Sequence, residues 1–250
     1  MKKTLAVLTL LAGAVSGYSQ GQVGWADYLN SDFQITIWSP QTATPTVQVT
    51  GNSPGTFGTG LTSTGADIPA GTQTGYTGTP LGGSATGATS PTDYANGNLW
   101  SVQLYAAAGG STPTPVAGAV ANMFTSGNAG LYNVTGNPVV TIPNVAAGAS
   151  ASLQLAAWYN AGGTISSYAA AVAAGGAAAP SGLSTIGTEN LGGGVVTPPD
   201  LPGPGNSGVT GGITSFSLVG GSGGSTTPEP STIALGIMGA SAFLMRLRRK

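Results

Sequence analysis

Cysteine and histidine are both missing from the 250-residue chain, and lysine and arginine are missing from everything between Thr4 and Met245. Without cysteine there are no disulfides, no thiolate metal ligands and no thiol nucleophile. Without histidine the usual zinc and copper ligand and the usual general base near neutral pH are gone. The lack of cations excludes nucleic-acid binding, because holding a phosphate backbone depends on Lys and Arg. The charges between those limits are all acidic: Asp27, Asp32, Asp67, Asp93, Glu189, Asp200 and Glu229. A formal net charge of −1 for the whole chain therefore hides a long acidic interior stretch flanked by basic ends.

Glycine and proline, at 43 and 17 residues, bring the chain close to the roughly 25–30% level at which low-complexity behaviour becomes a serious reading. Short apolar runs argue against complete disorder. The length suits one substantial all-β body with signals at its ends.

The first of these ends is MKKTLAVLTLLAGAVSGYSQ. Lys2 and Lys3 form a basic n-region, Leu5 to Val15 an apolar h-region, and small residues follow, which is the layout of a secretory signal peptide. Cleavage between Ser19 and Gln20 puts Gly17 and Ser19 at the small-residue positions, so residues 1–19 are expected to leave during passage through the secretion translocon.

At the other end, Ile233 to Met245 is an apolar run of thirteen residues. As a helix it reaches only about 20 Å, against a bilayer core of about 30 Å. Ser231, Thr232 and Leu247 lengthen it, and Arg246, Arg248, Arg249 and Lys250 can snorkel to the headgroups. By the positive-inside rule this basic cluster is a cytoplasmic stop, while the acidic middle of the chain crosses. The short transmembrane helix reads as a transient anchor.

Pro228-Glu229-Pro230, then a short apolar helix, then a terminal basic cluster, resembles the PEP-CTERM sorting signal. That resemblance implies recognition by an exosortase-like membrane protease or transpeptidase, cleavage at the motif, and release or transfer of the body to the cell surface or extracellular matrix. Physical chemistry agrees with it. The two prolines fix φ and disfavour helix before them, leaving the motif extended and accessible. The Gly/Ser-rich stretch 221–227 is a flexible linker between body and motif.

The body, residues 20–220, carries its apolar residues in short runs broken by Gly, Pro, Asn, Ser and Thr, the mark of an all-β domain. Strands are expected over Val23–Leu29, Phe33–Trp38, Thr46–Thr50, Asn98–Ala106, Pro138–Ile142, Ser152–Asn160 and Ile213–Val219. Trp100, Val102, Leu104 and Ala106 share one face of the fourth, and Ser101, Gln103 and Tyr105 the other, so one side should be buried and one wet. Asn96-Gly97 before it reads as a turn with positive φ. The sum is a two-sheet antiparallel β-sandwich, jelly-roll-like, with long Gly/Thr/Ser-rich loops. Gly51–Ser90 is expected as an extended surface loop or a hairpin pair with weak strands, Gly192–Gly212 as a crossing of the surface before the last strand, and Ala169–Ala179 as a short helix limited by Gly175-Gly176 and Pro180.

NLWSVQLYAAAG, SLQLAAWYNAGGTISSYAAA and ITSFSLV, followed by linker and PEP, also resemble an uncharacterised verrucomicrobial family of exported proteins. These pieces cover less than half of the chain. The family typically has an Arg where Ala156 stands and an acid where Ala169 stands.

Two carboxylates suffice for glycosidase chemistry, but nothing brings two of Asp27, Asp32, Asp67 and Asp93 together and no basic residue is there to tune them. Asp27 to Asp32 offers oxygens in a turn without the calcium-loop pattern. No metal and no cofactor are expected. Trp25, Trp38, Trp100 and Trp158 sit mostly inside strands, where core packing is the commoner role, although such rings and several tyrosines also suit sugar stacking. Asn133-Val134-Thr135 fits a glycosylation sequon. The reading is an exported, non-enzymatic surface or matrix protein of structural or adhesive use, associated with exopolysaccharide. A lectin-like carbohydrate-binding sandwich is the alternative.

Overall fold

In a computed structural model of the chain, residues 20–25, 28–29, 33–51, 75–134, 138–202 and 212–220 are described. The expected signal peptide, linker, PEP motif, short apolar helix and basic tail lie outside them. In chain order the strands are β1 (Gln20–Gly24), β2 (Tyr28–Leu29), β3 (Phe33–Gln34), β4 (Ile37–Trp38), β5 (Trp100–Ala108), β6 (Thr114–Asn122), β7 (Val139–Ala146), β8 (Ser150–Tyr159), β9 (Ser181–Leu183), β10 (Gly187–Asn190) and β11 (Phe216–Ser217). The described residues hold one α-helix, α1 (Tyr168–Ala174). The domain is all-β, with mainly antiparallel sheets.

The main sheet runs β10-β8-β5-β6, with β9 also paired to β8. Its axis is the β5–β8 pair, in register from Trp100 opposite Tyr159 to Ala108 opposite Ala151. Directly opposed residues share a face, so this register settles both surfaces. One carries Trp100, Val102, Leu104 and Ala106 of β5 with Leu153, Leu155, Ala157 and Tyr159 of β8, all buried in the core. Against it pack Val23 of β1, Ile142 and Val145 of β7, and Ile37 of β4, with Leu81, Tyr132, Phe216 and Leu218. The expected alternation of β5 is therefore present. Its second face, however, is not simply wet: Ser101 is buried and Gln103 and Tyr105 are half-buried.

Outside the main sheet, pairing is fragmentary. β1 and β7 form an antiparallel ribbon, β2 pairs with β3, and β11 pairs with β4 in parallel. Between these, single hydrogen bonds take the place of long ladders. Leu81 donates its N–H to Ile37 O at 3.0 Å, Ile37 to Gly130 O at 2.9 Å, and Gly130 to Leu81 O at 2.5 Å. Leu81 is fully buried, which departs at that residue from the expected surface loop or weak hairpin pair over Gly51–Ser90, while Thr77, Thr79 and 85–89 are exposed.

Two further expectations are corrected. Thr46–Thr50 is not a strand and keeps one bridge, Thr50 to Phe216. The Val49 N–H is taken by the Ser217 hydroxyl at 3.0 Å, a side-chain bond that replaces a ladder bond. Asn96-Gly97 makes no positive-φ turn. Asn96, at φ −79°, accepts the Asn98 N–H on its side chain and caps the 3-10 turn Gly97–Leu99. Glycine is needed at 97 for close approach instead, because a Cβ there would run into the Phe124 carbonyl oxygen.

The expected helix exists over Tyr168–Ala174. Ser167 caps it by accepting the Ala170 N–H at 3.2 Å, and Gly175, at φ +80°, ends it because only glycine takes that conformation cheaply.

Candidate functional site

Of the residues singled out in the sequence, Pro228, Glu229, Pro230, Arg246, Arg248, Arg249, Lys250, Ser19, Asp27, Asp32 and Asp67 lie outside the described residues. Gln20, on the far side of the expected cleavage, is exposed and opens β1 opposite Ala146. Asn133 of the sequon is exposed, while Thr135 is outside the described residues. Among the described residues no group of three or more His, Cys, Asp or Glu stands close enough to hold a metal. Burial pushes the Glu189 carboxyl upward, against a smaller lowering from the Asn190 N–H that it accepts.

All four tryptophans are buried, between 0% and 8% exposed. Trp25 stacks on Tyr132 with ring centroids 5.8 Å apart, and Trp38 on Tyr76 at 5.0 Å. Trp100 lies between Tyr94 and Tyr159 and donates its indole N–H to Asp93 O at 3.1 Å. Trp158 donates to Ile165 O at 2.9 Å. These rings are core, as their positions inside strands led one to expect.

Two half-buried tyrosines lie on the outer face of the main sheet, as Tyr76, Tyr94 and Phe124 are half-buried elsewhere. Tyr105 arrives there by the alternation of β5. Tyr168, the first residue of α1, arrives because the Ser167 cap fixes where the helix begins and Ala171 docks it against Trp158. Their ring centroids are 6.3 Å apart with planes at 83°, edge to face, and both are half-buried. Burial raises both phenol pKa values, and Tyr105 adds to the rise at Tyr168, so both stay neutral near physiological pH.

The register places Gln154 opposite Tyr105, and Gln103 opposite Ala156, on this same face. Each amide is oriented by a bond from its nitrogen: Gln154 Nε2 donates to Ser184 O at 2.7 Å, and Gln103 Nε2 to Val116 O at 3.2 Å. That fixes the amide flip and leaves each Oε1 as an acceptor. Glu189 pairs with Ala151 and so belongs to the opposite, core-side face. The outer face thus combines two aromatic rings and two oriented amides without a charged side chain.

A concavity of about 290 Å³ lies between Ser39–Pro45 and Thr77–Thr79, with Tyr94 in its lining. Its Gln41 Oε1 accepts from the Thr77 N–H at 2.9 Å and from the Thr77 hydroxyl at 3.0 Å. Its Nε2 is buried without a partner.

Alternation in the sequence already set Tyr105 apart from the core face of β5. Tyr168 carried no such sign, because its position beside Tyr105 depends on how α1 lies across β8. No protein-family model matches the chain, and neither a curated protein nor a solved structure matches it.

Proposed function

We propose that this is an exported, non-enzymatic protein of the cell surface or extracellular matrix, sorted through Pro228-Glu229-Pro230 and associated with exopolysaccharide. In this reading residues 1–19 are removed at export. The apolar helix and basic tail then hold the chain in the membrane until an exosortase-like enzyme cuts at the motif. The observation that carries it is the placement of charge: every Lys and Arg lies before Thr4 or after Met245, where the positive-inside rule keeps it cytoplasmic at both stages.

The body in this proposal is a two-sheet, jelly-roll-like sandwich, the β1–β7 ribbon and the β4–β11 pair forming the layer opposite the main sheet. Support comes from Ile142, Val145, Ile37 and Phe216, which share one core with β5 and β8. Burial of all four tryptophans favours a structural body over a lectin that displays indole rings.

The test is intact-mass analysis of the protein recovered from envelope or medium, for wild type and Glu229→Ala. The wild type is expected to begin at Gln20 and to lack Arg246 to Lys250, and Glu229→Ala to retain them. A mature wild type that still carries the basic tail would refute processing.

A further inference from the structure

We propose that the concavity lined by Pro40, Gln41, Pro45, Thr77 and Tyr94 is the seat of the chain's own continuation beyond Gly220: residues 221–227 lie across it, and one of their backbone carbonyls accepts from Gln41 Nε2. Two independent observations carry this. The first is Gln41 itself. Its side chain is 3% exposed and lines the concavity. Its amide cannot be turned over, because Oε1 is the atom that accepts from the Thr77 N–H and hydroxyl. Nε2 is therefore left without an acceptor, a deficit that buried amides rarely carry. The site calls for an oxygen.

The second observation is the path of the chain. Leu218 donates to Trp38 O at 2.9 Å and Gly220 to Pro45 O at 2.8 Å, and Gly220 lies so close to Pro40 that a Cβ there would run into its ring. Pro40 and Pro45 both line the concavity, so the chain enters residue 221 at its rim. The other stretch that begins nearby, 52–74, rejoins the fold at Gly75, where a Cβ would meet nothing. No contact steers that stretch inward.

Size and charge fit the same occupant. A volume of about 290 Å³ lies at the low end of the roughly 300–1,000 Å³ usual for small-molecule pockets, which suits a thin strand better than a bulky ligand. Residues 221–227 read GSGGSTT, and glycine lets a backbone approach such walls closely. Neither the segment nor a lining residue carries a charge. The conformational entropy lost in ordering a Gly/Ser segment offsets most of what one hydrogen bond and a short contact contribute. Seated and released forms thus both belong to the folded state, and the seat governs the position of the segment rather than the melting of the body. The inference rests on the chain path alone and holds whether or not the tail beyond Pro228 is removed.

In ¹³C,¹⁵N-labelled protein recovered from envelope or medium, the Gln41 side-chain amide protons are expected to show Overhauser contacts to the α protons of Gly221, Gly223 or Gly224. Contacts to 52–74 instead, contacts found only between differently labelled molecules, or exchange with water and no contact to 221–227 would each overturn the seat. Because the chain has no cysteine, Ser225→Cys supplies a single thiol whose alkylation rate reports release. Gln41→Leu in that background should speed alkylation about fivefold. Gly223→Val, which adds bulk to the segment and leaves the body untouched, should speed it likewise and decides the matter if Gln41→Leu does not fold. A rate unchanged by the folded variants would overturn the proposal.

Discussion

Asn160, 5% exposed at the end of β8, uses its amide in every direction. Its Nδ2 donates to Asn98 O at 3.0 Å and to Ser101 Oγ at 2.9 Å, its Oδ1 accepts the Gly162 N–H at 2.9 Å, and Ser101 passes its proton on to Asn122 Oδ1. The chain joins β8, β5 and β6 through polar groups that burial would otherwise penalise. Asn160→Asp replaces the two donor hydrogens with an acceptor facing the Asn98 carbonyl. Denaturant unfolding at neutral pH should show a loss of about 2–3 kcal/mol, the usual cost of leaving a buried polar partner unpaired. A smaller change would mean that water enters the site. Glu189 gives the pH-dependent counterpart. Desolvation holds its carboxyl above the usual range, so between the ordinary and the raised value the folded state binds the proton more readily than the unfolded chain. Its contribution is therefore most favourable in acid and is lost as pH rises through that window. Glu189→Gln keeps an oxygen for the Asn190 N–H. It should melt slightly above wild type at neutral pH and together with it below the ordinary carboxylate range; thermal melts across pH check this.

β5 and β8 were legible from sequence because they are long, apolar at alternate positions and free of proline. β6 was not, because TPVAGAVAN holds Pro115 and Gly118. Gly118 has φ +77°, and the register with β5 shifts between Gln103 and Tyr105. A bulged edge strand reads as a loop, and proline and bulging are also what protect an edge from pairing with another molecule. Outside the main sheet the chain was legible only as apolar runs, since Ile37, Leu81 and Gly130 exchange single bonds across long sequence distances that no local pattern announces. The candidate site divides in the same way: Tyr105 follows from period two, but its meeting with Tyr168 depends on where α1 begins. That start rests on Ser167. Ser167→Ala removes the cap on the Ala170 N–H and should cost about 1 kcal/mol. With seven residues, α1 has little else of its own to hold it, so helices this short depend on caps and docking. Local loosening should appear as faster amide exchange at Ala170 and Ala171, with β5 and β8 unchanged. Uniform loss of protection across the sheet would show that α1 and the sheet unfold as one unit.

On the scale of the whole molecule, the body closes late. The Thr36 N–H is held by Ser215 Oγ at 2.9 Å, β4 pairs with β11, and Gly220 donates to Pro45 O at 2.8 Å, so the core waits for nearly the last residues before the linker. The described fold reaches at least to Gly220, and in the proposed organisation residues 221–227 are the linker between it and Pro228. Fully extended, at about 3.5 Å per residue, that linker spans roughly 25 Å. In the proposed route the motif lies at the membrane face, and an enzyme embedded there needs that distance to engage it without meeting the body. Deleting 221–227 should leave the thermal unfolding of the body unchanged, since Gly220, just before the deletion, is held to the body by its own bond to Pro45 O. Intact mass should then show the chain retained with Arg246 to Lys250. Replacing the seven residues by an unrelated Gly/Ser sequence of the same length should restore cleavage, because reach and flexibility, not side-chain identity, are what the linker supplies. Normal processing of the deletion would show that the motif is read without a spacer. Failure of the replacement would show that the linker sequence is itself recognised.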